Sequence, residues 1–470
     1  MGKNLNHTNI RFWGGLRTIG GTVVTVEYKG SRVIFDFGMT YNPAANIFDG
    51  QIKRRLHGMV RDNLRLNLIP PIDGLYSAES LGNSNRDIIP AEEYGQKTAV
   101  VISHLHLDHI GAMGLISPSI PVYLTKESHE LYSALNVIDE GVPGERDYQS
   151  CEYGVTFSIG EIKITPIQVD HDILGACAYH IQTPDGAIVY TGDLRLHGKH
   201  PERIEHFIYE VNRLGLDVLI MEGTTLSSVE EMREAIVGNR IVPAEMTTEM
   251  NIPEKISERL KETKGLGIFN IYHTNIDRLS GMIQAARDSS RIAVFEPETA
   301  YLLDKLTDEQ DFLVYKSVET MFEDQAGTLP EWKSELLKKL KTISAEMINS
   351  SPSKYILQNN YENVLELFDL NVREGIYIHS NGVPLGTFDP AFQNLKKIIS
   401  KLDVNYNNIG APGHAIPSNL KYIVDCIDPK FLIPLHSFNP ERLKPKSGIQ
   451  LLVDYGVDYV LTKHQIIPNH

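Results

Sequence analysis

Apolar positions cluster through "TVVTVEYKGSRVIFDFG" (residues 22–38) in two β-branched runs separated by the polar "KGS", which predicts a β-hairpin ending at Asp36-Phe37-Gly38. About sixty residues of irregular composition follow, with Pro70-Pro71 and "LGNSNRD" among them, before "TAVVIS" predicts a short buried strand ending at His104. Further strands are expected at "EIKITPIQV", "GAIVYTGD" and "LDVLIME", with a helical pattern, "PERIEHFIYEVNRLG", between the last two. Each strand ends in, or is followed at once by, a polar residue. Chemistry should therefore collect at strand ends. From residue 226 to about 395 the texture changes to alternating helices and apolar strands ("LGIFNIYHT", "IDRLSGMIQAARD", "RIAVFEPE", "KYILQNN", "GIYIHSN"), which predicts a parallel α/β unit of its own. Helix and strand patterns then close the chain at "PSNLKYIVDCID", "KFLIPLHS" and "DYVLT". With no internal repeat and no Gly/Ser tether, the division is by insertion: residues 1–225 and 396–470 form one unit and 226–395 the other.

At 470 residues the chain can build large cores. No apolar run approaches the ~20 residues that cross a bilayer, and "MGKNLNHTNIRFW" lacks the apolar stretch of a signal peptide. The expectation is a soluble, cytoplasmic protein without a membrane partner. Cys151, Cys177 and Cys426 are widely spaced and predict small buried hydrophobes, not a disulfide framework or a thiolate site. A net charge of −15 argues against indiscriminate binding of polyanions, so any nucleic-acid contact must be local. The basic runs at Lys53, Arg54, Arg55 and Arg61 and at Lys338, Lys339 and Lys341 are expected to be solvated helix faces. The glycines of "WGGLRTIGG" lack a following Gly-Lys-Ser/Thr and predict a tight turn, not a phosphate loop.

The stretch "ISHLHLDHIGAMG" sets His104, His106, Asp108 and His109 on a turn directly after a strand, where their side chains can converge. Imidazole nitrogen with carboxylate oxygen suits zinc, with manganese and iron as alternatives. One short segment cannot enclose an ion alone. His171, Asp193 and His436 lie at other strand ends and supply the remote ligands. The count favours two ions: His104, His106 and His171 around one, Asp108, His109 and His436 around the other, Asp193 bridging. Two ions about 3.5–4 Å apart can share a water, lower its pKa and clamp a phosphodiester. His197 and His200 follow no spacing rule and are not expected to be ligands.

"SHLHLDHIG" resembles the HxHxDH signature of the metallo-β-lactamase superfamily, with Asp36, His171, Asp193 and His436 in the order of that fold's other motifs. The resemblance implies an αββα sandwich in which Asp36 braces the metal loop and the others are ligands. That fold hosts many activities, so the remaining residues must narrow it. The segment between Asp193 and His436 falls where the β-CASP nucleases carry their inserted domain. Glu222 in "LIMEGTTLS", His414 in "GAPGHA" and His436 match that subfamily's motifs A, B and C. A histidine at motif C is similar to RNA-processing members, and the ribonuclease J type is the nearest resemblance.

On that basis the expected activity is hydrolysis of RNA with two Zn²⁺ ions, or Mn²⁺ in their place, acting exonucleolytically from the 5′ end, endonucleolytically, or both. Asp108, Glu222 and His414 form the catalytic set. Independently of any family, a histidine supported by a carboxylate suits protonation of a leaving 3′-oxygen. By analogy, Thr274, Asn275, Ser380, Asn381 and Gly382 would bind a 5′-phosphate. The chain ends at residue 470, soon after His436, so the further C-terminal domain usual in that type is expected to be missing and a homodimer is left open. A DNA nuclease of the same fold and a small-molecule esterase or lactonase are the alternatives.

Overall fold

A computed structural model describes residues 1–470 apart from 1–5, 41, 43–46, 49–51, 85–86, 145, 228–233, 238–239, 244, 464 and 470. Two mixed sheets face one another. The eight strands of the first run in the order Ile466–Asn469, Asp458–Leu461, Thr8–Phe12, Val24–Tyr28, Ser31–Phe35, Lys97–Val101, Val122–Thr125, Tyr148–Cys151. The seven of the second are Ile449–Gln450, Phe431–Leu435, Val218–Glu222, Gly186–Tyr190, Cys177–Thr183, Ile162–Gln168 and Phe157–Ile159. The predicted hairpin is present, with Val24 opposite Phe35 and Tyr28 opposite Ser31.

The burial of successive residues explains why these strands are continuous apolar runs and not alternating ones. Val33 and Phe35 enter the core between the sheets, while Ile34 enters the core beneath the outer helices. Ala99 and Val101 likewise face the opposite sheet, and Val100 and Ile102 face outward into helix. In the second sheet Val218 and Ile220 point inward, Leu219 and Met221 outward. A strand covered on both faces cannot spare a polar position, since each large side chain buried contributes about 1.5–3 kcal/mol. The outer helices have the matching stripes: Ile204, Phe207, Ile208 and Val211 in Pro201–Leu214, and Leu420, Ile423, Val424 and Ile427 in Pro417–Ile427. The molecule is thus an α/β protein whose paired sheets are sandwiched between helices.

The chain leaves the second sheet after Glu222 and re-enters it at Phe431, directly alongside, because these two strands pair in parallel. Between them lies a separate seven-stranded sheet, ordered Thr342–Ser344, Phe312–Lys316, Ile292–Phe295, Tyr355–Gln358, Gly267–Ile271, Ile376–Ser380, Asn405–Asn408, with every pairing parallel. The expected boundary at residue 395 is corrected by this sheet. It falls inside the helix Pro390–Lys401, whose Leu395 and Ile399 pack on the parallel sheet, and the last strand runs to Asn408. Polar "NYNN" hides that strand from any apolar pattern.

Cys151 and Cys177 are buried as expected, but Cys426 is exposed: the last turn of its helix buries Ile427 and turns the neighbouring position outward. No helix among the described residues is long and apolar enough to cross a membrane.

Candidate metal centre

The turn after Lys97–Val101 is held by the turn after Ser31–Phe35. Phe37 N donates to His109 O at 2.8 Å, Met39 N to Leu107 O at 3.2 Å, and Ala112 N to Phe37 O at 3.0 Å. Gly38 permits the approach, since a Cβ there would lie 1.7 Å from Asp108 O. Asp36, fully buried with φ 57°, accepts from Ser103 N at 2.7 Å, from Ser103 Oγ at 2.8 Å and from Tyr190 Oη. It also accepts a hydrogen bond from His109 Nδ1 at 2.7 Å, which turns the other ring nitrogen of His109 into the site. A single helical turn, Leu107–Ile110, then sets Asp108 and His109 beside His106.

Donor atoms of His104, His106 and His171 gather within 4.8 Å of one another, as do those of Asp108, His109, Asp193 and His436. A third group, Asp193, Glu222, His414 and His436, shares two members with the second. Asp193 thus stands between a histidine at each side: its Oδ2 lies 3.6 Å from His104 Nε2, 3.1 Å from His109 Nε2 and 4.0 Å from His436 Nε2. All seven residues singled out as ligands from the sequence converge here.

Their electrostatics suit cation binding. His104 Nε2, His106 Nε2, His109 Nε2 and both Asp193 oxygens are buried without a hydrogen-bond partner. Orphaned polar atoms of this kind cost about 1–3 kcal/mol each unless something occupies the space between them. Burial holds His104 well below the usual imidazole range, lowers His106, and brings His171 down to about 3. These rings are neutral, with lone pairs to give. Burial opposes ionisation of Asp193, yet His436 and His109 beside it hold its carboxyl well below the ordinary value. Neutral rings at His104, His106 and His171 and an ionised Asp193 suit a divalent ion. At His109 burial is outweighed by the Asp193, Asp108 and Asp36 carboxylates, which raise it well above the usual imidazole range, so a cation there would displace its proton.

The orienting partners are equally specific. His171 Nδ1 donates to Gly413 O at 2.7 Å, and His436 Nδ1 meets Thr224 Oγ1 at 2.7 Å. Glu222, buried at the end of its strand, accepts from Leu194 N at 2.9 Å through one oxygen and lies 3.1 Å from His414 Nδ1 through the other. Burial alone would lower the pKa of His414, but the Glu222 and Asp193 carboxylates outweigh it and raise it to about 10. A quarter of the His414 side chain remains exposed, so a protonated ring reaches the cleft.

The positions assigned by analogy to phosphate binding behave differently. Asn275 Oδ1 caps the helix Ile276–Asp288 by accepting from Arg278 N. Ser380 Oγ and Asn381 Oδ1 each accept from Arg278 Nη1 at 3.1 Å. Gly382 packs so closely on Asn270 that a Cβ would lie 1.2 Å from its amide oxygen. Thr274 is buried beside Tyr272. The Asn-Gly-Pro composition predicts the turn but not that its polar atoms are already engaged. His197 and His200 are not among the clustered donors: His197 Nε2 donates to Pro412 O, and His200 faces Glu202 and Asp277.

Sequence reasoning missed Asp172. Its Oδ1 lies 3.3 Å from His171 Nε2 and 3.6 Å from His106 Nε2, with no hydrogen-bond partner. Its position immediately after His171 was the available signal. Tyr272, whose ring centre is 5.5 Å from that of His106, and Thr224 were also missed, because nothing in the sequence places them at the site.

A fold of two facing sheets with a histidine- and aspartate-lined cleft at their strand ends defines a metallo-hydrolase of the β-lactamase class. The family model described as the beta-lactamase superfamily domain matches residues 78–298. The match covers just under half of the chain, and the chain is similar to ribonuclease J proteins over most of its length. It is 23% identical over 457 residues to ribonuclease J of Pyrococcus abyssi, covering 93% of this chain and 91% of that one. Ribonuclease J of Helicobacter pylori strain 26695 is also 23% identical, over 430 residues, covering 90% of this chain but 55% of its own length. The chain thus spans nearly all of one relative and about half of the other. A crystal structure of a protein of unknown function from Enterococcus faecalis superimposes with a TM-score of 0.77 at 28% identity, covering 97% of this chain and 100% of that one.

Proposed function

We propose that the protein is a metal-dependent ribonuclease that cleaves RNA phosphodiester bonds, with residues from about 226 to 408 forming an inserted β-CASP domain over the cleft. The observation that carries this reading is the convergence of orphaned histidine nitrogens and aspartate oxygens on two adjoining clusters, beside a Glu222-backed His414. His104, His106 and His171 would hold one ion, Asp108, His109 and His436 a second, and Asp193 would serve both. Zinc fits the donor set, and manganese is the alternative. When bound, such ions supply an activated water and neutralise charge developing on the phosphoryl oxygens.

The remaining steps belong to the chain. Asp36 keeps the proton of His109 on Nδ1, and Thr224 and Gly413 O fix His436 and His171 in the same way. Asp108 Oδ2 lies 2.9 Å from His436 Nε2, and both atoms would serve as ligands to an ion held there. Glu222 orients His414, which carries a proton at neutral pH and offers it to the departing 3′-oxygen. The products carry a 5′-phosphate and a 3′-hydroxyl. Thr274 remains the candidate contact for a 5′-phosphate among the five analogous positions. RNA specificity rests on the histidine at position 436 and on the ribonuclease J relatives.

Incubation with 5′-monophosphorylated, 5′-triphosphorylated and circular RNA under zinc and manganese tests the reading. Cleavage that a chelator abolishes, and that His414→Ala slows by about 10²–10⁴-fold, is the expected result. Mononucleotides from the monophosphorylated strand alone mean exonuclease action; opening of the circle means endonuclease action. Intact RNA beside cleaved DNA or lactone would overturn it.

A further inference from the structure

Three charged side chains lie fully inside the protein, beside the donor clusters but outside them, and the mechanism above does not use them. Arg278 sits in the first turn of the helix Ile276–Asp288, Glu249 in the connection leading to the parallel sheet, and Arg195 two residues beyond Asp193. Arg278 grips Glu249 with two nitrogens, one of them at 2.7 Å, and Arg195 Nη1 meets the same Glu249 Oε2 at 3.1 Å. Asp170 lies 3.7 Å from Arg195 Nε. Burying such a ladder gains little net stability, because desolvation of the charges offsets their attraction. Its geometry is more informative.

The ladder ends on consecutive backbone carbonyls. Arg278 Nη2 donates to Ala411 O at 3.4 Å, and Arg195 Nη1 to Pro412 O at 3.3 Å, which also accepts from His197 Nε2 at 2.8 Å. Gly413 O is the carbonyl that receives the His171 proton. The next residue is His414. Arg278 also binds Ser380 and Asn381, at the end of a strand of the parallel sheet. One guanidinium therefore joins the parallel sheet to the backbone that carries the proton donor.

We propose that Arg278, acting through Glu249 and Arg195, is a positioning residue that aims His414, so that proton donation to the leaving oxygen depends on how the parallel-sheet domain is seated. This rests on the ribonuclease reading above and adds to it the part that sets the acid.

The test compares two leaving groups. An RNA oligonucleotide expels a ribose 3′-oxygen that needs a proton, whereas bis(p-nitrophenyl) phosphate expels p-nitrophenolate, which does not. Arg278→Lys keeps the charge and loses the two-nitrogen grip. It should lower kcat on RNA by about tenfold or more with KM nearly constant, while bound metal and the rate on the nitrophenyl ester stay within about twofold. Ser380→Ala, a milder change for use if the lysine variant fails to fold, should shift the same ratio in the same direction. His414→Ala provides the reference and should show the largest RNA-selective loss. Equal losses on both substrates, or an unchanged kcat on RNA, in Arg278→Lys and Ser380→Ala would overturn the positioning role while leaving the hydrolase reading intact. Equal losses in His414→Ala would overturn the proton donor and the positioning role with it, and absence of RNA cleavage by the unaltered protein would overturn the reading beneath both.

Discussion

At the strand ends of the two-sheet sandwich, His104 Nε2, His106 Nε2, His109 Nε2 and both Asp193 oxygens are buried without partners. At the strand ends of the parallel sheet, Asn275, Ser380 and Asn381 are equally polar, but their side-chain oxygens accept from Arg278. Orphaned atoms occur there too, such as Glu296 Oε2 and Tyr315 Oη, yet among the described residues every group able to hold a metal lies in the sandwich. The two regions differ in whether unfilled bonding capacity converges on one point, not in polarity. Polar atoms that satisfy each other stabilise a turn; polar atoms that converge unsatisfied await a ligand.

The largest break of this contrast is Asp193→Ala. Its carboxylate faces four histidines, so removal should abolish binding of the ion pair and lower kcat by about 10³-fold or more, read by elemental analysis and a single-turnover assay. Asp36→Ala should act one step further out: it frees His109 Nδ1, Ser103 and Tyr190, and metal affinity should fall by about 10–100-fold, measured by competition with a chelator.

Acid should act on the boundary between the two regions. Burial, and then Arg195, depress His197 to about 4, below its unfolded value of ~6.5. Its contribution is intact above pH ~6.5 and is lost as pH falls towards 4, by about 2 kcal/mol at pH 5. Thermal unfolding should show that loss, and His197→Gln should flatten it. The smallest change belongs to the parallel sheet: Asn275→Ala removes a helix cap, costs about 1 kcal/mol, and should leave bound metal unchanged.

These differences also mark what the amino-acid order can reveal. His104, His106, Asp108 and His109 fall within six consecutive positions, so their convergence is written locally, and His171, Asp193 and His436 are legible because each follows an apolar run. Sheets buried on both faces likewise announce themselves as continuous apolar segments. Asp172 is marked only by its place next to His171, and Thr224 and the Arg195–Glu249–Arg278 ladder have no local signature at all, since their meaning depends on which strands end side by side. The turn at 380–382 could be predicted as a turn, but whether its amides face solvent or a buried arginine is decided by tertiary packing. The polar strand Asn405–Asn408 escaped for the opposite reason: its place is set by pairing with Ile376–Ser380, not by its own side chains.

The central claim is that the clustered side chains hold two divalent ions. Metal analysis of the purified protein after equilibration with zinc and dialysis, set against Asp193→Ala handled identically, tests it most directly. Two ions per chain, lost in the variant, is the result predicted; a metal-free chain that still cleaves RNA, or full occupancy without Asp193, would contradict it.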